Sequence, residues 1–242
     1  MENTSVNYDN TNPMYNKYDQ EAQSNDIGLL LRLGFIRKVY GILSFQLILT
    51  VIMCGLTFIN PVRKFYQSNI TIFWICLVLS IFIIIPLICC RNIARKTPTN
   101  YILLTIWTIC EGYMVATCCS FYSPEIVITA ASLTCAITIS LTVYACTTKT
   151  DFTFMGGLLF VSSCLLIFLG LFSFIFGNFF RTLYCVLGVF LFSLYLIFDT
   201  QLVMGKFGSE YMIDDYIIAS IMIYIDIIQI FMYLLELFGR NR

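Results

Sequence analysis

Histidine is absent from the 242 residues of this chain, and charged residues make up only 12% of them. Soluble domains contain about 25% charged residues on average, so this chain lacks the charge that keeps a folded surface in water. Zinc binding, haem binding and most acid–base catalysis near neutral pH depend on imidazole. The two shortages together exclude a soluble enzyme, and we expect neither a catalytic site nor a bound cofactor.

A net charge is also lacking, because 14 basic residues balance 14 acidic ones. A protein that binds nucleic acid needs an excess of positive charge to hold the phosphates, so nucleic acid is excluded as a partner. The chain is instead rich in apolar residues: 59% of its residues are hydrophobic and 16% are aromatic. This composition is typical of a protein that crosses a lipid bilayer several times.

Cysteine is the abundant residue that most needs an explanation, since the chain has 11 of them. Most lie inside apolar runs, and no two have the C-x-x-C spacing of a metal site. A thiol in such surroundings behaves as a small hydrophobic group. We therefore predict that the cysteines pack within the fold and form neither a disulfide framework nor a metal cage.

Seven apolar runs approach the length of about 20 residues that a helix needs to cross the hydrocarbon core. The seventh run also contains Asp226 and Glu236, so the sequence leaves open whether it spans the membrane or re-enters it. We predict an all-α bundle over residues 29–242, preceded by a disordered cytosolic tail over residues 1–28, which are polar and lack an apolar period. The seven runs are Val39–Ile59, Ile70–Cys90, Tyr101–Phe121, Ile126–Cys146, Phe154–Phe176, Phe179–Phe198 and Tyr216–Phe238.

Lysine and arginine in the loops predict the orientation, because cytoplasmic loops carry an excess of both. With the N-terminus in the cytosol, nine basic residues fall on the cytosolic side and three on the other, leaving out Arg240 and Arg242. The nine are Lys17, Arg32, Arg37, Lys38, Arg91, Arg95, Lys96, Lys149 and Lys206, and the three are Arg63, Lys64 and Arg181. We expect the N-terminus to be cytosolic.

Three acidic residues lie deep within the apolar runs: Glu111, Asp199 and Asp226. A carboxylate at the bilayer centre costs about 2.5–3.5 kcal/mol on insertion scales, so such residues usually face the protein interior and mark functional sites. Glu111 either lines the same cavity as the two aspartates or only forms a hydrogen bond with a neighbouring hydroxyl group. Spacing does not decide between these two roles.

Asp199 and Asp226 lie on consecutive antiparallel helices joined by the polar stretch Gly205–Asp215. Their depths differ by about one to two helical turns at most. Two carboxyl groups brought together in a low dielectric do not both ionise cheaply, so we expect them to share a proton. The alternative is that each acid separately caps a backbone or pairs with a base at the end of the second helix, where Arg91, Arg95 and Lys96 lie.

An intramembrane aspartyl protease also uses two carboxyl groups that share a proton. Proteases of that kind resemble one another in a Tyr-Asp on one helix and a Gly-x-Gly-Asp on another. Here Phe198 precedes Asp199, and Ile225 precedes Asp226 without the glycines. The protease reading is therefore disfavoured.

The chain contains the motifs Arg37-Lys38-Val39-Tyr40, Arg95-Lys96, Phe198-Asp199-Thr200-Gln201, Ile223-Tyr224-Ile225-Asp226 and Leu234-Leu235-Glu236-Leu237-Phe238-Gly239. In this order over most of the chain, they resemble the transmembrane Bax-inhibitor-motif family, in its lifeguard and Golgi anti-apoptotic branch. Two segments depart from the family pattern: Met212-Ile213-Asp214-Asp215-Tyr216 stands where Ser-Pro-Glu-Glu-Tyr is usual, and Gln229 replaces an asparagine.

This resemblance implies a seven-helix fold around a central sixth or seventh helix, resident in the Golgi or endoplasmic reticulum membrane. It also implies suppression of apoptosis together with a pH-sensitive calcium leak. Asp199 and Asp226 match the proton-sensing gate of that family, which also associates with the permeant cation, calcium. Arg91 matches an arginine that latches onto them.

Two further functions remain open at this stage. One is a scaffold that binds a death receptor, other apoptosis regulators or a second copy of the chain, without ion flux. The costly buried acids favour the leak over the scaffold, because a scaffold has no use for them. The other is a proton-coupled transporter, which the lack of an inverted repeat and of paired broken helices disfavours.

Overall fold

The computed structural model describes the backbone of residues 13–208 and 211–240, and within these it contains helices and no strands. The side chains of residues 13–22, 24, 25, 91, 174 and 176 lie outside the description. Besides a short 3₁₀ turn at Thr153–Met155, the helices are α1 (Pro13–Leu56), α2 (Asn60–Ser68), α3 (Ile70–Cys89), α4 (Arg91–Arg95), α5 (Thr99–Ser120), α6 (Pro124–Thr147), α7 (Gly156–Phe176), α8 (Asn178–Met204) and α9 (Tyr216–Gly239).

Seven of these helices are long and apolar enough to cross a membrane: α1 from Asp26 onward, α3, α5, α6, α7 with the turn before it, α8 and α9. This confirms the predicted all-α membrane bundle, and each helix corresponds to one of the seven apolar runs. The protein is therefore a multi-pass membrane protein in contact with lipid. The seventh run is a continuous helix of 24 residues, long enough for a full crossing.

The ends of two helices differ from the sequence prediction. α1 begins at Pro13, inside the segment that we expected to be a disordered tail through residue 28; residues 14–27 contain no proline or glycine to interrupt it. α8 continues past Phe198 to Met204 and ends at Gly205, whose φ of 67° is the left-handed conformation that commonly closes a helix. Asp199 is therefore inside α8 and not at its end.

α9 is the central helix of the bundle. In its most apolar 18-residue window 78% of the residues are buried, compared with 17–56% in the other six spans. It packs against α8, α1, α6 and α5, and it is apolar around most of its circumference, as expected for a helix enclosed by others. The resemblance implied a central sixth or seventh helix, and the structure assigns that position to the seventh.

Hydrogen bonds between side chains fasten α9 and α5 to α1. The hydroxyl oxygens of Thr50 on α1 and Tyr224 on α9 lie 2.8 Å apart, and the Gln46 amide donates to the Thr108 hydroxyl at 3.2 Å. The ring of Trp107 packs edge-on against Tyr224, with the ring centroids 5.5 Å apart. Polar groups inside a membrane bundle need partners of this kind, so these contacts define how α1, α5 and α9 fit together.

All 11 cysteines are free thiols; three are buried, five are partly buried and three are exposed. Cys110, Cys119 and Cys185 are buried, and the sulfur atoms of Cys54 and Cys119 are 3.8 Å apart, which is a contact and not a bond.

Candidate functional site

Asp199 and Asp226 meet inside the bundle, close to the end where α8 finishes and α9 begins. Their carboxyl groups lie close enough together to interact with each other. Asp199 is 5% exposed and Asp226 is 3% exposed, so bulk water has little access to either. The structure thus brings together the two acids that the sequence predicted to be coupled.

A close approach between α8 and α9 supports this meeting. Gly188 of α8 faces Tyr233 of α9, and a β-carbon at position 188 would lie 2.7 Å from three atoms of the tyrosine ring. Glycine is required there because real β-carbons essentially never come so near to another atom. The two helices follow each other in the chain and pack along their lengths, so an acid on one can reach an acid on the other.

Tyr211 is the third member of the site, and sequence reasoning missed it. Its hydroxyl donates to Asp199 Oδ1 at 3.1 Å from the loop between α8 and α9. Burial, reinforced by the charge of Asp199, raises the pKa of the Tyr211 hydroxyl well above its ordinary value. It therefore remains a protonated donor at any physiological pH. In the sequence, the one indication of a role for Tyr211 was its position in a polar loop shortly after Asp199, and this indication is weak.

Asp226 has fewer partners than Asp199. Its Oδ2 atom is buried, and among the described residues no donor reaches it. An unpaired carboxylate in such a place is expensive. A proton held between the two carboxyl groups would supply the missing donor.

No basic side chain pairs with either aspartate in the part of the chain that the structure describes. Arg91, the predicted latch, is the first residue of α4, and its side chain lies outside the described residues. Arg95, another candidate base at this end, is engaged elsewhere: its Nε atom donates to Asp215 Oδ1 at 2.8 Å.

Glu111 occupies a separate place in the bundle. It lies on α5, half-buried, and accepts a hydrogen bond of 2.5 Å from the Ser80 hydroxyl of α3. It is not in hydrogen-bonding contact with the aspartates. The contact with Ser80 is the neighbouring-hydroxyl arrangement that the sequence left open, and a role in lining the ion path remains a prediction.

Two carboxyl groups are few ligands for a resident calcium ion, which takes six to eight oxygen atoms. Among the described residues no group of three or more His, Cys, Asp or Glu side chains is positioned to hold a metal.

Two cavities open elsewhere in the bundle, and neither is lined by the aspartates. An apolar groove of about 510 Å³ lies between α1 and α6 over α9, and a polar cavity of about 380 Å³ lies at the opposite end among α7, α8 and α9. The Arg181 guanidinium contacts the Glu236 carboxylate beside the polar cavity. In this conformation the aspartates are enclosed by protein side chains.

Comparison with known proteins finds one family model, described as "Inhibitor of apoptosis-promoting Bax1", which matches residues 32–242. Protein lifeguard 3 of Homo sapiens is 37% identical over 218 residues, which are 87% of this chain and 70% of the relative. Protein LIFEGUARD 4 of Arabidopsis thaliana is 34% identical over 217 residues, which are 86% of this chain and 85% of the relative. The matched span includes every member of the site.

Proposed function

This chain belongs to the family of inhibitors of apoptosis-promoting Bax1, and on that premise we propose that it suppresses apoptosis as a pH-sensitive calcium leak of the Golgi or endoplasmic reticulum membrane. The observation that carries the proposal is the contact between Asp199 and Asp226, both almost fully buried in the bundle. Acids buried inside a membrane bundle are costly and usually serve ion or proton movement.

The proposed closed state holds one proton between the two carboxyl groups. Loss of that proton leaves two negative charges in contact in a low dielectric, where they repel strongly. The repulsion is relieved when α8 and α9 separate or when a cation enters between the carboxylates. Calcium is the permeant ion in this scheme and is not a resident cofactor.

The direction of the pH response follows from counting protons. The closed form binds one more proton than the open form, so lower pH favours closure and higher pH favours opening. In the proposed orientation the N-terminus and the α8–α9 loop face the cytosol, which makes the pair responsive to cytosolic pH. Arg91 remains the proposed latch, whose positive charge would offset part of the repulsion and hold the gate partly closed.

The test is efflux from liposomes loaded with calcium and containing the purified protein, followed across a pH series from mildly acidic to mildly alkaline. We expect efflux that increases with pH, and loss of that dependence when both aspartates are changed to asparagine. Absence of efflux at every pH would favour the scaffold, which needs no ion flux. A pH response that survives in the double variant would remove the aspartates from the mechanism.

A further inference from the structure

The loop that joins α8 to α9 ends in five residues, Tyr211 to Asp215, which we call the strap. Two arginines from distant parts of the chain hold it. Arg32 of α1 donates to the main-chain oxygen of Tyr211 at 2.7 Å and also to that of Leu202 near the end of α8. Arg95 of α4 holds the Asp215 carboxylate. The strap is therefore fastened at both of its ends.

Asp199 lies near the end of α8 and is nevertheless buried, so a local structure must cover it. Asp199 is five residues from the end of α8, which places it about 7.5 Å from the helix terminus at 1.5 Å per residue. A residue so close to the surface of the bundle is normally reached by water, yet Asp199 is 5% exposed. The strap crosses this end of the bundle, and its Tyr211 side chain points inward to the carboxylate.

We infer that the strap is the cover that closes the aspartate pair at this end of the bundle, and that Tyr211 is the positioning residue that couples the strap to the pair. The inference rests on the proposed function. An ion or water molecule that approaches Asp199 from the α8–α9 end must displace the Tyr211 hydroxyl. Movement of the strap away from the bundle removes a hydrogen bond from Asp199 and opens the route at the same time.

The contact between Arg95 and Asp215 determines how firmly the strap is held. Asp215 is 5% exposed, and its carboxylate lies just before the first turn of α9, where negative charge is favourable. Removing the arginine would leave this buried carboxylate without its positive partner. The strap would then gain stability by moving the carboxylate toward water.

The experiment uses the full chain in lipid nanodiscs and measures how fast a water-soluble carbodiimide with glycine ethyl ester modifies Asp199, followed by peptide mass spectrometry. Asp26 is exposed and lies outside the strap, so it provides an internal reference for the labelling reaction. The variants are Tyr211→Phe and Arg95→Gln. Their matched controls are Tyr144→Phe, at an exposed tyrosine, and Lys96→Gln, at an exposed base next to Arg95.

We expect modification of Asp199, relative to Asp26, to rise at least several-fold in Tyr211→Phe and in Arg95→Gln and to stay at the wild-type level in both controls. Arg95→Lys keeps the positive charge and should retain most of the protection. Calcium efflux at acidic pH should rise in the same two variants. Unchanged labelling of Asp199 in both variants would overturn the strap as a cover.

The labelling separates this inference from the proposed function. If wild-type protein shows no calcium efflux but the two variants expose Asp199, the leak is wrong and the cover stands. If efflux follows pH as proposed but Asp199 stays protected in both variants, the leak stands and the cover is wrong.

Discussion

The ring of Tyr233 lies directly over Gly188, and an added β-carbon at that glycine would come within 2.7 Å of three ring atoms. Tyr233 is also held on its other side, because its hydroxyl donates to the Tyr184 hydroxyl at 3.2 Å and the two rings pack edge-to-face. The ring therefore has little room to move aside. The separation of α8 and α9 at this level depends on the absence of a side chain at residue 188.

Gly188→Ala should destabilise the bundle, because overpacking of a tight interior costs about 1–3 kcal/mol. Thermal unfolding in detergent micelles, followed by tryptophan fluorescence, measures the change as a lower Tm. Gly157→Ala is the matched control, since a β-carbon at Gly157 meets nothing within 4 Å. Equal Tm values for the two variants would show that the α8–α9 contact adapts without cost.

Asp199→Asn and Asp226→Asn should each flatten the pH dependence of calcium efflux, because an amide neither gains nor loses a proton in this range. The double variant should add little to either single change, since the two carboxyl groups act as one unit. Efflux from liposomes measures all three. Asp26→Asn, at an exposed aspartate outside the strap, is the control and should respond to pH as the wild type does. Additive effects of the two single changes would mean that the acids titrate independently.

Glu111→Gln should leave the fold intact, because an amide oxygen can still accept the hydrogen bond from Ser80. If Glu111 lines the ion path, the variant should change the efflux rate or its pH dependence. Ser80→Ala is the companion variant, which removes the partner and keeps the acid. If Glu111→Gln shows the efflux of the wild type at every pH, the role of Glu111 is only its hydrogen bond between α3 and α5.

Gln201→Ala should lower stability without changing the pH response. The Gln201 side chain donates to Thr150 O at 2.9 Å and accepts from Phe152 N at 2.8 Å, so it fastens the α6–α7 connection to α8. Loss of both bonds leaves partly buried backbone groups unpaired, at about 1–3 kcal/mol for each buried group. A lower Tm relative to Gln23→Ala, at an exposed glutamine, would agree. An altered pH profile would instead connect Gln201 to the aspartates.

The basic residues predict that the N-terminus and Arg95 face the cytosol and that Asn69 lies on the other side. A seventh full span would place Arg240 on the same side as Asn69. Labelling of single cysteines at these positions with a membrane-impermeant reagent, in a variant without native cysteines, measures the side directly. If the reagent labels the cysteines at positions 69 and 95 from the same side of the membrane, the predicted orientation is wrong. Label reaching position 240 from the cytosol would mean that α9 re-enters the membrane.

The seven helices and the aspartate pair were predictable because each depends on local sequence. A long apolar run can satisfy its backbone in lipid only as a helix, and two acids on consecutive antiparallel helices are brought close by the short loop between them. The end of α8 was less predictable, since the segment after Phe198 is more polar and stays helical through packing within the bundle.

The contacts of the strap were beyond sequence reasoning. Arg32 and Tyr211 are 179 residues apart, and Arg95 and Asp215 are 120 apart. Nothing in the spacing of either pair indicates that it meets. The same holds for Ser80 and Glu111, where only the packing of α3 on α5 selects one hydroxyl among several.

The central position of α9 has a consequence for how the protein is made. The helices that surround it all precede it in the chain, so during synthesis they enter the membrane before the helix that fills the space between them. Until α9 arrives, the inward faces of α1, α5, α6 and α8 have no common partner, and Asp199 lacks the carboxyl group with which it is paired. A ribosome stalled before Tyr216 would therefore leave an incomplete bundle with an unpaired acid in the bilayer, at a cost that the finished chain avoids.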